Sequence, residues 1–227
     1  MPNTNSLSFD GNDFGTVPDS ASLDISGSLT IEAYINRTGT GAGQTLLRKE
    51  AAYLLDYQGS TDGVRFTVWI GAVAQSFASG VIPDVGTWVH VACTYDGVSQ
   101  IAYKNGVAIG TRAQTGAIDT NTNNVFIGQD TSNGQFLNGT IDEVRLWNVA
   151  RTAAQVSDNY RNELDGTETG FQMYLQLDEG IGTVAQDSTT NNNDMTFPAT
   201  AGSQPTWSTA VPFTGPVMTG LQSKYWG

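Results

Sequence analysis

Two adjacent carboxylates, Asp142 and Glu143, sit inside the stretch Gly139-Thr140-Ile141-Asp142-Glu143-Val144-Arg145-Leu146-Trp147-Asn148. With a strand's two-residue period, Val144 and Leu146 share one face and Glu143, Arg145 and Trp147 the other, so the segment reads as half-buried. Asp142 opens it on the side of Val144 and Leu146. An unpaired buried charge is costly, so such a carboxylate needs backbone N–H groups or a cation beside it, and an oxygen-ligating metal is one reading. Retaining glycoside hydrolysis needs two carboxylates about 5 Å apart facing one cleft. Adjacent strand residues point apart, which does not suit that chemistry.

A second set of residues suits polar-polymer recognition, which needs an aromatic platform beside amide or carboxylate hydrogen-bonders. Trp69 lies on the face of Val64-Arg65-Phe66-Thr67-Val68-Trp69-Ile70 opposite its apolar residues, and Tyr34 is placed in the same way within Leu29 to Ile35. The loop Gln129 to Gly134 offers Asp130 and Asn133. Nothing in the spacing brings these four together. The single histidine, His90, and the single cysteine, Cys93, both lie in the apolar run Val89 to Cys93. That run favours a buried histidine over a catalytic base, and a lone cysteine allows neither an internal disulfide nor a cysteine zinc site.

The elements that must position these residues are strands. Glycine is abundant at 26 residues and charged residues are sparse at 14% of the 227, while apolar residues fall in many short runs. That is the composition of a large all-β domain with tight turns. The net charge of −12 weighs against a nucleic-acid backbone as partner and suits a cation or a neutral polymer. Met1-Pro2-Asn3-Thr4-Asn5 carries no basic region before an apolar one, and no run approaches about 18 apolar residues, so neither a signal peptide nor membrane insertion is expected.

Clean alternation predicts strands over Leu29 to Ile35, Val64 to Ile70 and Phe171 to Leu177. Asp96-Gly97 and Asn105-Gly106 supply the positive φ angles of two-residue hairpin turns, predicting an antiparallel meander from Trp88 to Ile109. Thr152-Ala153-Ala154-Gln155 fits a capping box, which predicts one short helix over residues 153 to 161.

Taken in order, Leu7-Ser8-Phe9-Asp10-Gly11, Leu29-Thr30-Ile31-Glu32-Ala33-Tyr34, Trp88-Val89-His90-Val91-Ala92 with Thr94-Tyr95-Asp96-Gly97, Tyr103-Lys104-Asn105-Gly106 and Gly139 to Trp147 resemble the laminin G-like and pentraxin-like domains of the concanavalin A-like superfamily. The resemblance covers residues 6 to about 162. It implies an all-β jelly-roll sandwich of two curved antiparallel sheets, in one domain over residues 1–211 with a tail or linker over 212–227. Residues 170–211 resemble the segment that usually precedes the Phe-Asp-Gly motif. Here that segment follows, either folding back as a permuted closing segment or being exchanged with a second copy or a tandem-domain neighbour.

The resemblance also implies a structural calcium ion held by Asp10, Asp142 and a backbone carbonyl near Gly27, with Asp13 as a further donor. It implies a recognition module, extracellular or at a cell surface, that binds a glycan or a protein. Glycan recognition through Trp69, Tyr34, Asp130 and Asn133 is the leading expectation, ahead of an assembly or adhesion subunit acting as a homo-oligomer. A glycoside hydrolase ranks last, because no strand carries the Glu-x-Asp-x-x-Glu pattern of the superfamily's glucanases.

Overall fold

The computed structural model describes residues 3–38, 43–59, 63–81, 83–130 and 132–213. Residues 214–227 of the expected tail lie outside the described residues, as do 39–42 of the Gly/Thr loop, 60–62 of the turn before Gly63, and Thr131.

In chain order the strands begin with β1 (Ser6–Asp10), β2 (Gly15–Val17), β3 (Leu29–Arg37), β4 (Gln44–Lys49), β5 (Tyr53–Gln58) and β6 (Gly63–Ile70). Next come β7 (Val73–Ala78), β8 (Val89–Tyr95), β9 (Ser99–Lys104) and β10 (Val107–Ala113). They are followed by β11 (Val125–Ile127), β12 (Gln129–Asp130), β13 (Gln135–Phe136) and β14 (Asn138–Trp147). Helix α1 (Ala153–Asn159) precedes β15 (Phe171–Leu175), β16 (Val184–Ala185), β17 (Met195–Thr196) and β18 (Thr206–Ser208).

One sheet runs β10-β9-β8-β3-β14-β1-β18, with β15 also paired to β14, and the other runs β16-β17-β2-β11-β4-β5-β6-β7. Their inward residues, among them Leu7, Ile31, Ile35, Leu55, Phe66, Val91, Ile141 and Leu146, form one shared apolar core. This is the jelly-roll sandwich, in which alternation sends every second residue to the core and closure of two sheets spares each from facing water on both sides. The segment after the helix contributes to both layers: β15 and β18 pair in the first sheet and β17 pairs with β2 in the second.

Helix α1 is shorter than the sequence suggests and carries both bonds of the capping box, between Thr152 and Gln155. In the meander, Asn105 and Gly106 both take positive φ, 49° and 78°, as a two-residue turn requires. The Asp96-Gly97 connection differs from expectation. It spans three residues, 96 to 98, because the Asp96 carboxylate accepts the N–H groups of Val98 (2.8 Å) and Ser99 (2.7 Å) and wraps a wider turn.

The largest departure from the sequence reading is in β14. Pairing with β3 is regular up to Asp142 opposite Tyr34, then resumes with Arg145 opposite Glu32. The extra residue is accommodated at Glu143, which adopts φ 54°. A bulge of one residue reverses the phase of alternation, so Ile141, Val144 and Leu146 all reach the core. Asp142 therefore shares the outer face with Tyr34 and Arg145, rather than the side of Val144 and Leu146. Nor is the strand half-buried, because α1 and the chain that follows it cover this outer face and leave Asp142, Glu143 and Arg145 at 1% exposure or less.

The β9–β10 turn is where the helix meets the sheet. A Cβ on Gly106 would lie 2.9 Å from the Tyr160 ring and 3.0 Å from the Ser157 Cα, at a φ that side chains rarely adopt. Gly106→Ala is expected to cost about 1–3 kcal/mol, the range for a non-glycine residue forced into left-handed backbone, read by chemical denaturation. Thr152→Ala, which removes the cap alone, is expected to cost about 1 kcal/mol.

Candidate functional site

The outer face of the first sheet carries a buried ionic layer with an aromatic cleft above it. Glu32 on β3 has no exposed surface and receives Arg151 Nη1 at 2.5 Å on one oxygen, while His90 Nε2 lies 3.2 Å from the other. Burial alone would raise the Glu32 pKa, but the His90 contact and the Arg151 charge outweigh it and hold the carboxyl at about 2. Burial pushes the His90 pKa down despite Glu32, with Arg145 and Arg151 adding to the shift, so His90 is neutral at pH 7 and Arg151 is the standing counter-ion. Arg145 reaches Glu143, and through Nη1 the carbonyl of Asn159 at 3.3 Å, which ties the end of α1 to β14.

Above this layer, Tyr34, Trp88, Asn105, Tyr160, Arg161, Pro212 and Phe213 line a cleft of about 340 Å3. Register explains the arrangement. Tyr34 on β3 is paired with His90 on β8, whose ring is 5.1 Å from it, and His90 in turn lies 5.7 Å from Tyr160 at the end of α1. Trp88 and Phe213 pack edge-on against Tyr34 at 6.5 and 5.5 Å. The Asn105 Oδ1 accepts the His90 N–H at 2.9 Å, which fixes the side-chain amide, and the Arg161 guanidinium sits 5.1 Å above the Tyr160 ring. Burial holds the Tyr34 phenol well above its usual pKa, so it is protonated and can donate. Tilted rings beside fixed amide, hydroxyl and guanidinium donors suit a ligand with both apolar faces and polar edges.

The four residues expected to bind ligand divide between two faces. Tyr34 belongs to this cleft. Trp69 is on the outer face of the other sheet, half-buried, with the Arg48 guanidinium 5.6 Å over its ring. Arg48 also pairs with the buried Asp130, whose carboxylate accepts the Asn133 N–H and, at 2.8 Å, Asn133 Nδ2. So Trp69, Asp130 and Asn133 do come together, through Arg48, but as a set whose charges and ring face engage one another. Sequence reasoning missed Trp88, Tyr160, Arg161 and Phe213. Only the edge position of Trp88 before a strand and the helix end at Tyr160 carried any signal.

The ligand set drawn for calcium is not assembled. Asp10 pairs with Asn138 at the start of β14, whereas Asp142 is four residues further on, about 13 Å away at strand rise. Gly27 precedes β3 at the opposite end of β14, where it lines a cleft with Asn148. Asp13 turns back to accept the Asp10 N–H at 2.8 Å. Among the described residues, no group of three His, Cys, Asp or Glu side chains is arranged to hold a metal ion.

Asp142 has other partners. Its oxygens accept Asn3 Nδ2 and the Glu143 N–H, both at 2.9 Å. Close by, Asp178 accepts the N–H groups of Thr4 at 2.7 Å and Asn5 at 3.0 Å. Burial, then the charges of Glu143 and Asp178, push the Asp142 pKa well up. Burial and the same two charges bring Glu163 to about 7.

The spacing Glu-x-Asp-x-x-Glu does occur in the chain, as Glu163, Asp165 and Glu168, but in the loop after α1 and not along a strand. Asp165 caps the Thr167 N–H at 2.9 Å and Glu168 caps those of Asp165 and Gly166, so these carboxylates close a turn.

Among the described residues no helix is long and apolar enough to cross a membrane. A family model described as the concanavalin A-like lectin/glucanases superfamily matches residues 9–157. None of the curated proteins compared matches the chain. Among solved structures, a candidate carbohydrate-binding protein from Bacteroides ovatus superposes at TM-score 0.76 with 24% identity, over 92% of this chain and 60% of its own. This chain thus spans less than two thirds of that relative. Domain 4 of a Geobacillus stearothermophilus extracellular arabinanase, in complex with arabinotriose, gives TM-score 0.55 and 21% identity over 67% of this chain and 75% of its own. A sialidase module from Ruminococcus gnavus bound to α2,3-sialyllactose gives 0.53 and 16% over 70% and 98%. These likenesses establish the fold.

The raised carboxyl pKa values set a pH dependence. Groups raised in the folded state stabilise it fully below their unfolded pKa, near 4, and that stability is lost as pH rises through the folded value. His90 has the opposite sign, its contribution being present above about 6.5 and lost as pH falls. The wild-type unfolding midpoint is therefore expected to be higher at pH 6 than at pH 8.5. In Asp142→Asn the midpoint at pH 8.5 should rise by about 2–4 °C, the shift for roughly 1 kcal/mol in a domain of this size, and the pH difference should narrow. A calcium-specific rise in the wild-type midpoint that Asp142→Asn abolishes would instead place an ion at Asp142.

Proposed function

Because the chain belongs to the concanavalin A-like lectin/glucanase superfamily, we propose that it is a non-catalytic recognition module whose ligand is a glycan seated in the Tyr34–Trp88–Tyr160 cleft. The observation that carries this reading is the convergence of four aromatic rings, those of Tyr34, Trp88, Tyr160 and Phe213, with the Asn105 amide and the Arg161 guanidinium in one concave site. A pyranose ring offers apolar C–H faces and a rim of hydroxyls, and these need the two kinds of surface that the cleft combines. The names of the structural relatives support the same class of ligand, since they include a candidate carbohydrate-binding protein and two domains holding oligosaccharides.

Access supports the non-catalytic reading. Asp142 and Glu143 are neighbours on one face, so adjacency does not separate them as simple strand alternation would. Both are buried, however, and Glu143 is held by Arg145 and by the Tyr174 hydroxyl at 2.6 Å. A glycosidase pair must flank a bond in a substrate that reaches it. The proposal does not draw on an ion, and it leaves the Trp69–Arg48–Asp130 patch outside the site.

A glycan array followed by titration calorimetry tests the reading. Saturable binding is expected, with Trp88→Ala weakening it by about tenfold or more, since truncated aromatic anchors commonly cost 1–2 kcal/mol or above. Trp69→Ala is expected to leave affinity within about twofold. Array silence together with a stable oligomer in solution would replace this reading by assembly.

A further inference from the structure

We propose that the Tyr34–Trp88–Tyr160 cleft selects sugars bearing a carboxylate, with Arg161 as the residue that reads the charge; this inference rests on the glycan reading above. The chain is strongly acidic, with 22 Asp and Glu against 10 Lys and Arg. Its clefts reflect that balance elsewhere: the one beside Phe126 is lined by Glu50, and the one beside Gly27 by Asp24. Among the described residues, the Tyr34 cleft is lined by Arg161 and by no carboxylate.

Six other cations are committed to carboxylates: Arg48, Lys49, Arg65, Lys104, Arg145 and Arg151. Arg161 is exposed and instead lies over the Tyr160 ring. A guanidinium over an aromatic face is held there by the ring while its N–H groups can still donate, and a guanidinium is the group that receives a carboxylate through two parallel bonds.

The remaining polar groups point to the same ligand. The Asn105 Oδ1 is taken by the His90 N–H, so its Nδ2 is the end left for a ligand. The Tyr34 phenol is protonated. With Arg161 these are donors, and a donor-rich, carboxylate-free cleft favours a ligand rich in acceptors. Long-range repulsion from the rest of the acidic chain is screened over about 8 Å at physiological salt, whereas the contact with Arg161 is not.

The test titrates oligogalacturonate and a sialylated oligosaccharide, each beside its neutral counterpart, carboxyl-reduced or desialylated, against wild type, Arg161→Gln and Trp88→Ala. At least one acidic member is expected to bind about tenfold or more tighter than its neutral counterpart, as suits a charge-assisted pair, and to weaken with salt. Arg161→Gln should erase that preference, bringing the acidic member to within about threefold of its neutral counterpart, and Trp88→Ala should weaken both. Arg161 is exposed, so an unchanged unfolding midpoint is expected to show that the variant is folded. Equal binding of acidic and neutral members, or a preference that survives in Arg161→Gln, would overturn this inference and leave the glycan reading intact. No binding to any member would overturn this inference, and the glycan array then decides the reading beneath it.

Discussion

Strand β14 must serve three neighbours, and one extra residue makes that work. Along one edge it pairs with β3; along the other, its first half pairs with β1 and its second half with β15. The bulge at Glu143 falls between those halves. Because it resets the alternation, Ile141 and Val144 can both enter the core, and the carboxylates of Asp142 and Glu143 are left at the seam where the N-terminal segment meets the segment after the helix. Asn3 binds Asp142 there, and Thr4 and Asn5 bind Asp178. The seam is thus closed by polar bonds rather than by packing alone.

The buried ionic layer follows from that seam. A guanidinium with no exposed surface, such as that of Arg145, is costly to desolvate and persists only with its partners in place: Glu143 and the carbonyls at the end of α1. Glu32 is matched by Arg151, whose guanidinium also lies 4.5 Å over Trp147, itself stacked on Phe171 at 3.7 Å. These directional contacts fix α1 over β8 and β9, where Val156 packs against Ala92 and Tyr103. Apolar packing would tolerate small slides of the helix. The charge pairs do not, and Tyr160 at its end is set relative to Tyr34 as a result.

What the sequence made legible is what local physics decides. Alternation located β3, β6 and β15, the Asn105-Gly106 turn fixed the meander, and the Thr152–Gln155 pair fixed the helix start. Those signals are each contained within a few residues. The bulge at Glu143 was not legible, because a left-handed glutamate is disfavoured locally and is held, besides its pairing with nearby Arg145, by the distant Tyr174 hydroxyl. The positions of the residues drawn for calcium were not legible either, since they depend on the register of β1 on β14, and register places Asp10 and Asp142 at separate levels. Trp69 was correctly placed on an outer face, but sequence could not say that Arg48 would cover it. The cleft draws on β3, the start of β8, the β9–β10 turn, the helix end and the last described residues, so no window of sequence contains it.

That distribution bears on how the site and the fold are linked. The wall formed by Pro212 and Phe213 follows β18, which pairs with β1 only because the segment after the helix has crossed to both sheets. The Ser6 hydroxyl donates to the Ala210 carbonyl at 2.6 Å, which holds the exit of this segment beside the first strand. Loosening the closing segment would therefore remove Phe213 from Tyr34 before it disturbed the meander, since β8 pairs with β3, β9 with β8 and β10 with β9 independently of it. The ionic layer beneath would lose a cover and admit water, which weakens charge pairs whose strength depends on burial. Formation of the cleft and closure of the sandwich are in this sense one structural event, and the least locally encoded part of the chain is the part that completes the cleft.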